Sequence, residues 1–457
     1  MSRRQLTVIA IGAGTAVGIA YALSPLTIIC LPAVIAMSLW AGAGLDSRER
    51  RWFIALIALA AIARLAAVSA LFLSWDGRMP FESLFGDELF FKNRSLWIRN
   101  HGAGLPMSPA DVIYAFEDVG ISSYLYGLSL LQAIVGKAPY GIHVLNSACY
   151  LTAVLMLFRL VRPVFGGVAA LTGMGVLLFT PSLFMWSISA LKEPSYTLAA
   201  AVELWCAVHL ARSATWRERA RWLIGVAVAT VALETLRRGG SMVALAGAAG
   251  GLFLGFVLPR PKLTLLTAAF VPVAVVGLLM VPPVQQRALD AVRGWAVYHA
   301  GHVGSAGYSY HILEGRYYFD ARRIYDMPGD DAIVFVLNSF KSYVTEPAPW
   351  RIESKPMLAY LPEQMFWYVL LALAPFGVVA AVRRDPMLAA LLVTHAFAAA
   401  TVVAMTSGNI GTLIRHRGLV MPYLAWLAGL GLYELMRSAV TGAPVRANQG
   451  IPAHGHS

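Results

Sequence analysis

The sequence predicts an all-α polytopic membrane protein with about twelve transmembrane helices, outer-face loops and interfacial helices, and three observations carry that expectation. Of its 457 residues, 58% are hydrophobic and 13% charged, and the mean hydropathy is +0.65, far above that of a soluble globular chain. Apolar runs close to the roughly 20 residues that a bilayer crossing needs recur along the chain. The Lys and Arg residues behind the net charge of +12 cluster in short segments between those runs, as the positive-inside rule expects. That placement argues for membrane topology and against a nucleic-acid partner. Cys30, Cys149 and Cys206 lie inside apolar runs and share no metal-binding spacing.

An N-terminal hairpin, Leu6 to Leu23 and Pro25 to Ala43, follows Arg3 and Arg4 and returns the chain to the cytoplasmic side at Arg48, Arg50 and Arg51. A third run, Trp52 to Trp75, then crosses outward. Ile121 to Gly136 is short and interrupted by Ser122, Ser123, Gly127 and Gln132, so it is expected to lie along the outer interface. With that choice every later basic cluster falls inside. The remaining spans are Ile142 to Leu160, Val164 to Phe184, Tyr196 to Leu210, Trp222 to Thr235, Ser241 to Leu258, Leu263 to Val281, Pro362 to Val382, Met387 to Met405 and Gly418 to Leu435. Residues 1–45 thus form a transmembrane hairpin, 46–437 the main membrane domain with outer loops 76–141 and 282–361, and 438–457 a polar cytoplasmic tail. Both termini are expected inside.

Within the first outer loop, Phe85-Gly86-Asp87-Glu88-Leu89-Phe90-Phe91-Lys92 sets two adjacent carboxylates among aromatics just beyond a span. There a membrane enzyme can hold a general base at the water interface while a lipid tail stays in the hydrocarbon. Three short outer turns break the charge rule: Lys192 with Glu193, Glu234 with Arg237 and Arg238, and Arg415-His416-Arg417. Together they suit a cationic pocket for a phosphate or pyrophosphate on a lipid; as snorkelling anchors they would only satisfy helix ends.

The loop 282–361 carries His299, His302, Tyr308, Tyr310, His311, Arg316, Tyr317, Tyr318 and Pro347-Ala348-Pro349-Trp350. These suit a carbohydrate-contacting lid or an interfacial aromatic belt, and no compact spacing marks the histidines as metal ligands. Inside the membrane, Arg64 is placed to steady a carboxylate or a lipid phosphate. Glu203 and His209 are expected to make interhelical hydrogen bonds.

Taken in order, these features resemble the GT-C superfamily of integral membrane glycosyltransferases. The resemblance rests on the acidic pair followed by aromatics, the interfacial segment from Tyr124, the hairpin from Trp186 to Pro194, the Leu236-Arg237-Arg238 turn, and Asn409 to Arg417 before a proline-containing last helix. It implies an inverting transferase in cell-envelope polysaccharide or glycolipid synthesis, facing the periplasm of a bacterial inner membrane. The donor would be a polyprenyl-phosphate-linked sugar and the acceptor a glycan, lipid or protein.

On that plan Asp87 is the base, and Glu88 orients the acceptor or shares the role; adjacent helical residues point about 100° apart, which disfavours both facing one substrate atom. Arg64, Lys192, Glu193, Arg237, Arg238, Arg415, His416 and Arg417 would contact the donor phosphate. No resident metal is implied, although Asp87 and Glu88 could share a divalent ion with the donor phosphate. The competing expectations are an O-antigen polymerase or ligase using outer Arg and His residues, and a polyprenyl-linked lipid or solute transporter.

Overall fold

A computed structural model describes residues 3–73, 87–118, 120–136, 139–305, 307–352 and 355–441. The expected motif residues Phe85 and Gly86, and the tail from 442, lie outside the described residues. The described chain is helical and contains no strand; an isolated bridge pairs Ser309 with Asn409.

Six described helices are long and apolar enough to cross a bilayer: Ser47–Phe72, Tyr140–Phe165, Gly240–Val257, Pro261–Leu279, Leu361–Arg384 and Pro386–Thr406. Two bent pairs raise the number to eight, against the twelve expected. The four missing spans have physical reasons: in the N-terminal hairpin the apolar helical stretches Gln5–Thr15 and Pro25–Ala41 are shorter than a span, and the other two are diluted by charge. Glu193–Arg212 and Trp216–Leu236 have the length of spans, but Glu203, Arg217, Glu218, Arg219, Arg221 and Glu234 dilute their apolar character.

The expected span Val164 to Phe184 is a broken helix. The chain bends by 62° between Gly167–Phe179 and Pro181–Ser187. Pro181 has no N–H to offer the Leu177 carbonyl four residues back, and Tyr150 donates to that carbonyl instead at 2.6 Å. Ser182 N–H turns to the Glu363 carboxylate at 3.0 Å, which frees the Leu178 carbonyl for Arg64 Nη2 at 3.0 Å. The last expected span, Gly418 to Leu435, is entered through a bend: Ile410–Arg417, expected as an outer turn, is a short helix that meets Met421–Val440 at 68°.

Between helices, lipid removes the hydrophobic drive and leaves close packing and polar links. A Cβ on Gly247 would come within 2.3 Å of the His395 ring, and one on Gly431 within 2.1 Å of the Leu373 carbonyl. Glu203 meets His395 Nε2 at 2.8 Å across two helices, as expected of an intramembrane acid. His209 instead donates within its own helix to the Trp205 carbonyl and lies between the Trp205 and Trp222 rings.

The region 282–361 is largely helical rather than a loop, with Pro282–Val303 and Gly329–Thr345 as its main elements. It is stitched to the end of Pro386–Thr406. His302 Nδ1 lies 2.6 Å from the Thr406 carbonyl, His299 Nδ1 2.6 Å from that of Ser407, and Tyr310 donates to Ser407 as well. These are carbonyls that a helix C-terminus leaves unpaired.

Candidate active site

The Glu88–Gly102 helix starts with Asp87 at its N-cap position, where an anion is favoured by the helix dipole. The structure separates the two acids. Asp87 keeps a 63% exposed side chain, whereas that of Glu88 is fully buried. Glu88 Oε1 lies 3.0 Å from Lys92 Nζ and 3.1 Å from His143 Nε2, and Oε2 accepts the Ala190 N–H at 3.1 Å. Burial pushes the Glu88 carboxyl up, but His143, Lys92 and the Ala190 amide outweigh it and hold the group below the usual range. Glu88 thereby pins the hairpin to the helix and leaves no side open to an acceptor.

That hairpin is held from a second side. His143, Asn146 and Ser147 stand three and four residues apart on one face of Pro139–Phe165. His143 Nδ1 donates to the Ile188 carbonyl at 2.7 Å, Asn146 to Ser189 at 2.6 Å and Leu191 at 2.8 Å, and Ser147 to Ser187 at 3.2 Å. The clamp sets Lys192 and Glu193 at the start of the next helix. Sequence reasoning missed His143 and Ser147; polar residues at this spacing in an apolar helix were the signal.

Arg415 joins the elements. Its Nη1 lies 2.7 Å from Asp87 Oδ2, and its Nη2 and Nε lie 2.6 and 2.7 Å from Glu193 Oε1. The guanidinium also sits 5.0 Å from the centre of the Trp186 ring. Beside it, Arg237 Nη2 donates to His416 Nε2 at 2.6 Å, which leaves the imidazole proton on Nδ1, a buried atom with no protein partner. Arg237 can reach there because Gly239, at φ 84°, turns the chain tightly after it.

Lys192 shares this environment. Burial first, then Arg237, lowers its pKa to about 8, with Arg415 acting in the same direction and Glu193 and Asp87 against it. Burial and Arg415 likewise lower the Arg237 guanidinium from its usual value, opposed by Glu193 and Tyr196. Three cations facing two carboxylates leave a positive excess in a partly dehydrated site, which suits an anionic ligand.

Not every expected phosphate contact joins the cluster. Arg238 is exposed on the same turn. Arg417, two residues beyond Arg415 and so on the far side of the helix, is buried: it donates to Gln364 at 2.7 Å and to the Tyr343 and Glu346 carbonyls at 2.6 and 2.5 Å. Arg64 donates to Ser187, Leu178 and Ala60 at 2.8, 3.0 and 3.2 Å, between the Tyr150 and Phe184 rings. It is 1% exposed and supports the broken helix rather than a ligand. Among the described residues no group of three or more metal-ligating side chains occurs; His299, His302 and His311 do not form one.

The family model for dolichyl-phosphate-mannose-protein mannosyltransferases matches residues 123–285, a stretch containing the clamp, Lys192, Glu193 and Arg237. Asp87 and Arg415 lie outside it and stand on geometry. No curated protein and no solved structure matches the chain. The match, over part of the chain, and the helical membrane architecture together support a membrane glycosyltransferase of GT-C type.

Proposed function

We propose that the chain moves a sugar from a polyprenyl-phosphate donor to an acceptor hydroxyl, with inversion, at the bundle end that carries Asp87 and Arg415. The observation carrying this reading is that Asp87, the more exposed acid of the pair, is held by a cation of a three-cation cluster. A donor phosphate fits the Lys192, Arg237 and Arg415 side chains, with the unpartnered His416 Nδ1–H as a further donor. Phosphate oxygens on Arg415 would draw it from Asp87, while Glu193 keeps it in place.

Asp87 then accepts the proton of the acceptor O–H as that oxygen bonds to the anomeric carbon from the face opposite the phosphate. The bond from anomeric carbon to phosphate oxygen breaks, and its electron pair leaves with the polyprenyl phosphate. Charge gathers on the phosphate as it departs, and fixed cations at that spot stabilise the transition state more than the bound donor. The family description names mannose and a protein acceptor, so mannose is the first sugar to test.

The orientation follows from charge. Ion pairs Arg162–Glu49, Arg212–Asp385 and Arg384–Glu434 mark the opposite end of the bundle, together with Arg48, Arg50, Arg51, Arg217, Arg219, Arg221, Arg260 and Lys262. By the positive-inside rule that end is cytoplasmic. The cluster then faces the periplasm of a bacterial inner membrane, with envelope glycans or glycolipids as acceptors. Nanodiscs holding the full chain are expected to consume polyprenyl-phosphate-[3H]mannose or another polyprenyl-phosphate hexose, and Arg237→Ala to stop it. Donor consumption that survives Arg237→Ala combined with Arg415→Ala would overturn the reading.

A further inference from the structure

The region 282–361 encloses a cavity of about 480 Å³ walled by Gly329–Thr345 and the segments 311–317 and 346–351. That volume lies in the range of small-molecule sites. Its lining is chemically mixed. Glu314, Asp331 and Glu346 contribute carboxylates, and Lys341 and Arg351 contribute cations. Asn338 adds an amide that already donates to the Ile312 carbonyl at 3.3 Å.

Two aromatic side chains complete the wall. Tyr317 is buried, its hydroxyl fixed on Asp331, and Trp350 is 70% exposed. A phosphate would meet three carboxylates against two cations, and an apolar ligand would dehydrate Lys341 and carboxylates that Arg316, Tyr317 and Arg351 satisfy only in part. A polyhydroxyl ligand answers both: its hydroxyls donate to carboxylates and accept from Lys341 and Arg351, and its C–H faces lie on the rings.

The cavity is also mechanically joined to the cation cluster. Arg417 donates to the carbonyl of Glu346, a lining residue, and stands two residues from Arg415 on one helix. The bridge between Ser309 and Asn409 ties the start of that helix to the same region. A glycan lying in the cavity is thus held by the element that presents Arg415.

We propose that this cavity is a saccharide subsite that holds an acceptor glycan for the transfer, a reading that rests on the proposed glycosyltransferase activity. The cluster at Asp87 takes the phosphate end of the donor; this cavity takes neutral sugar units of the acceptor, away from the bond being made.

The test is binding without turnover. Full-length protein in nanodiscs is applied to an array of bacterial surface oligosaccharides as wild type, Trp350→Ala and Lys341→Ala. Trp350 and Lys341 are exposed, so their replacement leaves the fold intact, which a thermal melt checks. Wild type is expected to bind a subset of glycans, Trp350→Ala to weaken that binding roughly tenfold, and Lys341→Ala to weaken it less. No glycan bound by wild type, or full binding by both cavity variants, overturns the subsite. Failure of the transferase reading shows separately, as undiminished donor consumption by Asp87→Asn, whatever the array reports.

Discussion

Arg415 lies between two carboxylates that come from distant parts of the chain, with Asp87 2.7 Å from one terminal nitrogen and Glu193 2.6 Å from the other. Three elements therefore meet at one guanidinium: the start of Glu88–Gly102, the clamped hairpin and the short helix Ile410–Arg417. A planar fork can hold both acids, and an ammonium cannot. Arg415→Lys is expected to lower transfer almost as much as Arg415→Ala, each by about 10²- to 10³-fold, the loss typical of one transition-state donor. Steady-state rates at saturating donor check this; near-wild-type rates for Arg415→Lys would show that point charge suffices.

Lys192 supplies a pH signature. Its pKa is lowered to about 8 by burial and by Arg237, so it loses its proton, and its hold on an anion, as pH rises through that value. The rate constant kcat/KM for the donor, which reports the free enzyme, is expected to fall on the alkaline side near pH 8. In Lys192→Arg the charge persists, and that limb moves upward by a unit or more. An unchanged limb would assign it to another group.

Glu88 is expected to act on stability. Its carboxyl sits below the usual glutamate value of 4.5, so the folded state favours the carboxylate. The stabilisation is present above pH 4.5 and is lost as pH falls through the folded-state value. Glu88→Gln leaves Lys92 and His143 facing an uncharged amide, a loss of about 3 kcal/mol for one partner of a buried pair. A thermal melt in detergent reads it as a clear drop, and an unchanged melt would return Glu88 to the chemistry.

Arg64 belongs with Glu88. Arg64→Met removes three hydrogen bonds, to the Ser187 hydroxyl, to the Ala60 carbonyl of its own helix and to the Leu178 carbonyl that the break at Pro181 leaves open, and is expected to cost about 3 kcal/mol. Donor affinity of the surviving folded protein should stay within about twofold of wild type. Isothermal binding of polyprenyl phosphate separates the two roles, since a direct contact would show as a large loss of affinity.

The helical membrane class was legible because apolar length and basic clustering are written in composition. The cluster was legible for a related reason: Lys192, Arg237 and Arg415 are charges at span ends where topology does not want them, and Asp87 stood out as one of a pair of acids among aromatics in an outer loop. Direction was hidden. Whether Asp87 or Glu88 turns inward depends on where the helix begins, and Arg415 and Arg417 part because two helical residues face opposite ways. The break at Thr180-Pro181 was readable from proline's missing N–H but was lost inside a long apolar run. Gly329–Thr345 buries Ala332, Phe335, Ser339 and Tyr343 at helical spacing, a pattern masked by the histidines and aromatics around it.

The most direct measurement is transfer by Asp87→Asn beside its donor binding, in nanodiscs at matched folding. Asparagine keeps the size but, being uncharged, holds Arg415 only weakly and cannot take a proton. Transfer is expected to fall by about 10²- to 10⁴-fold, the range for a lost general base, while polyprenyl-phosphate affinity stays equal or rises as Arg415 is released. Transfer by Asp87→Asn within a few-fold of wild type would contradict the account, and the proton acceptor would have to be sought elsewhere.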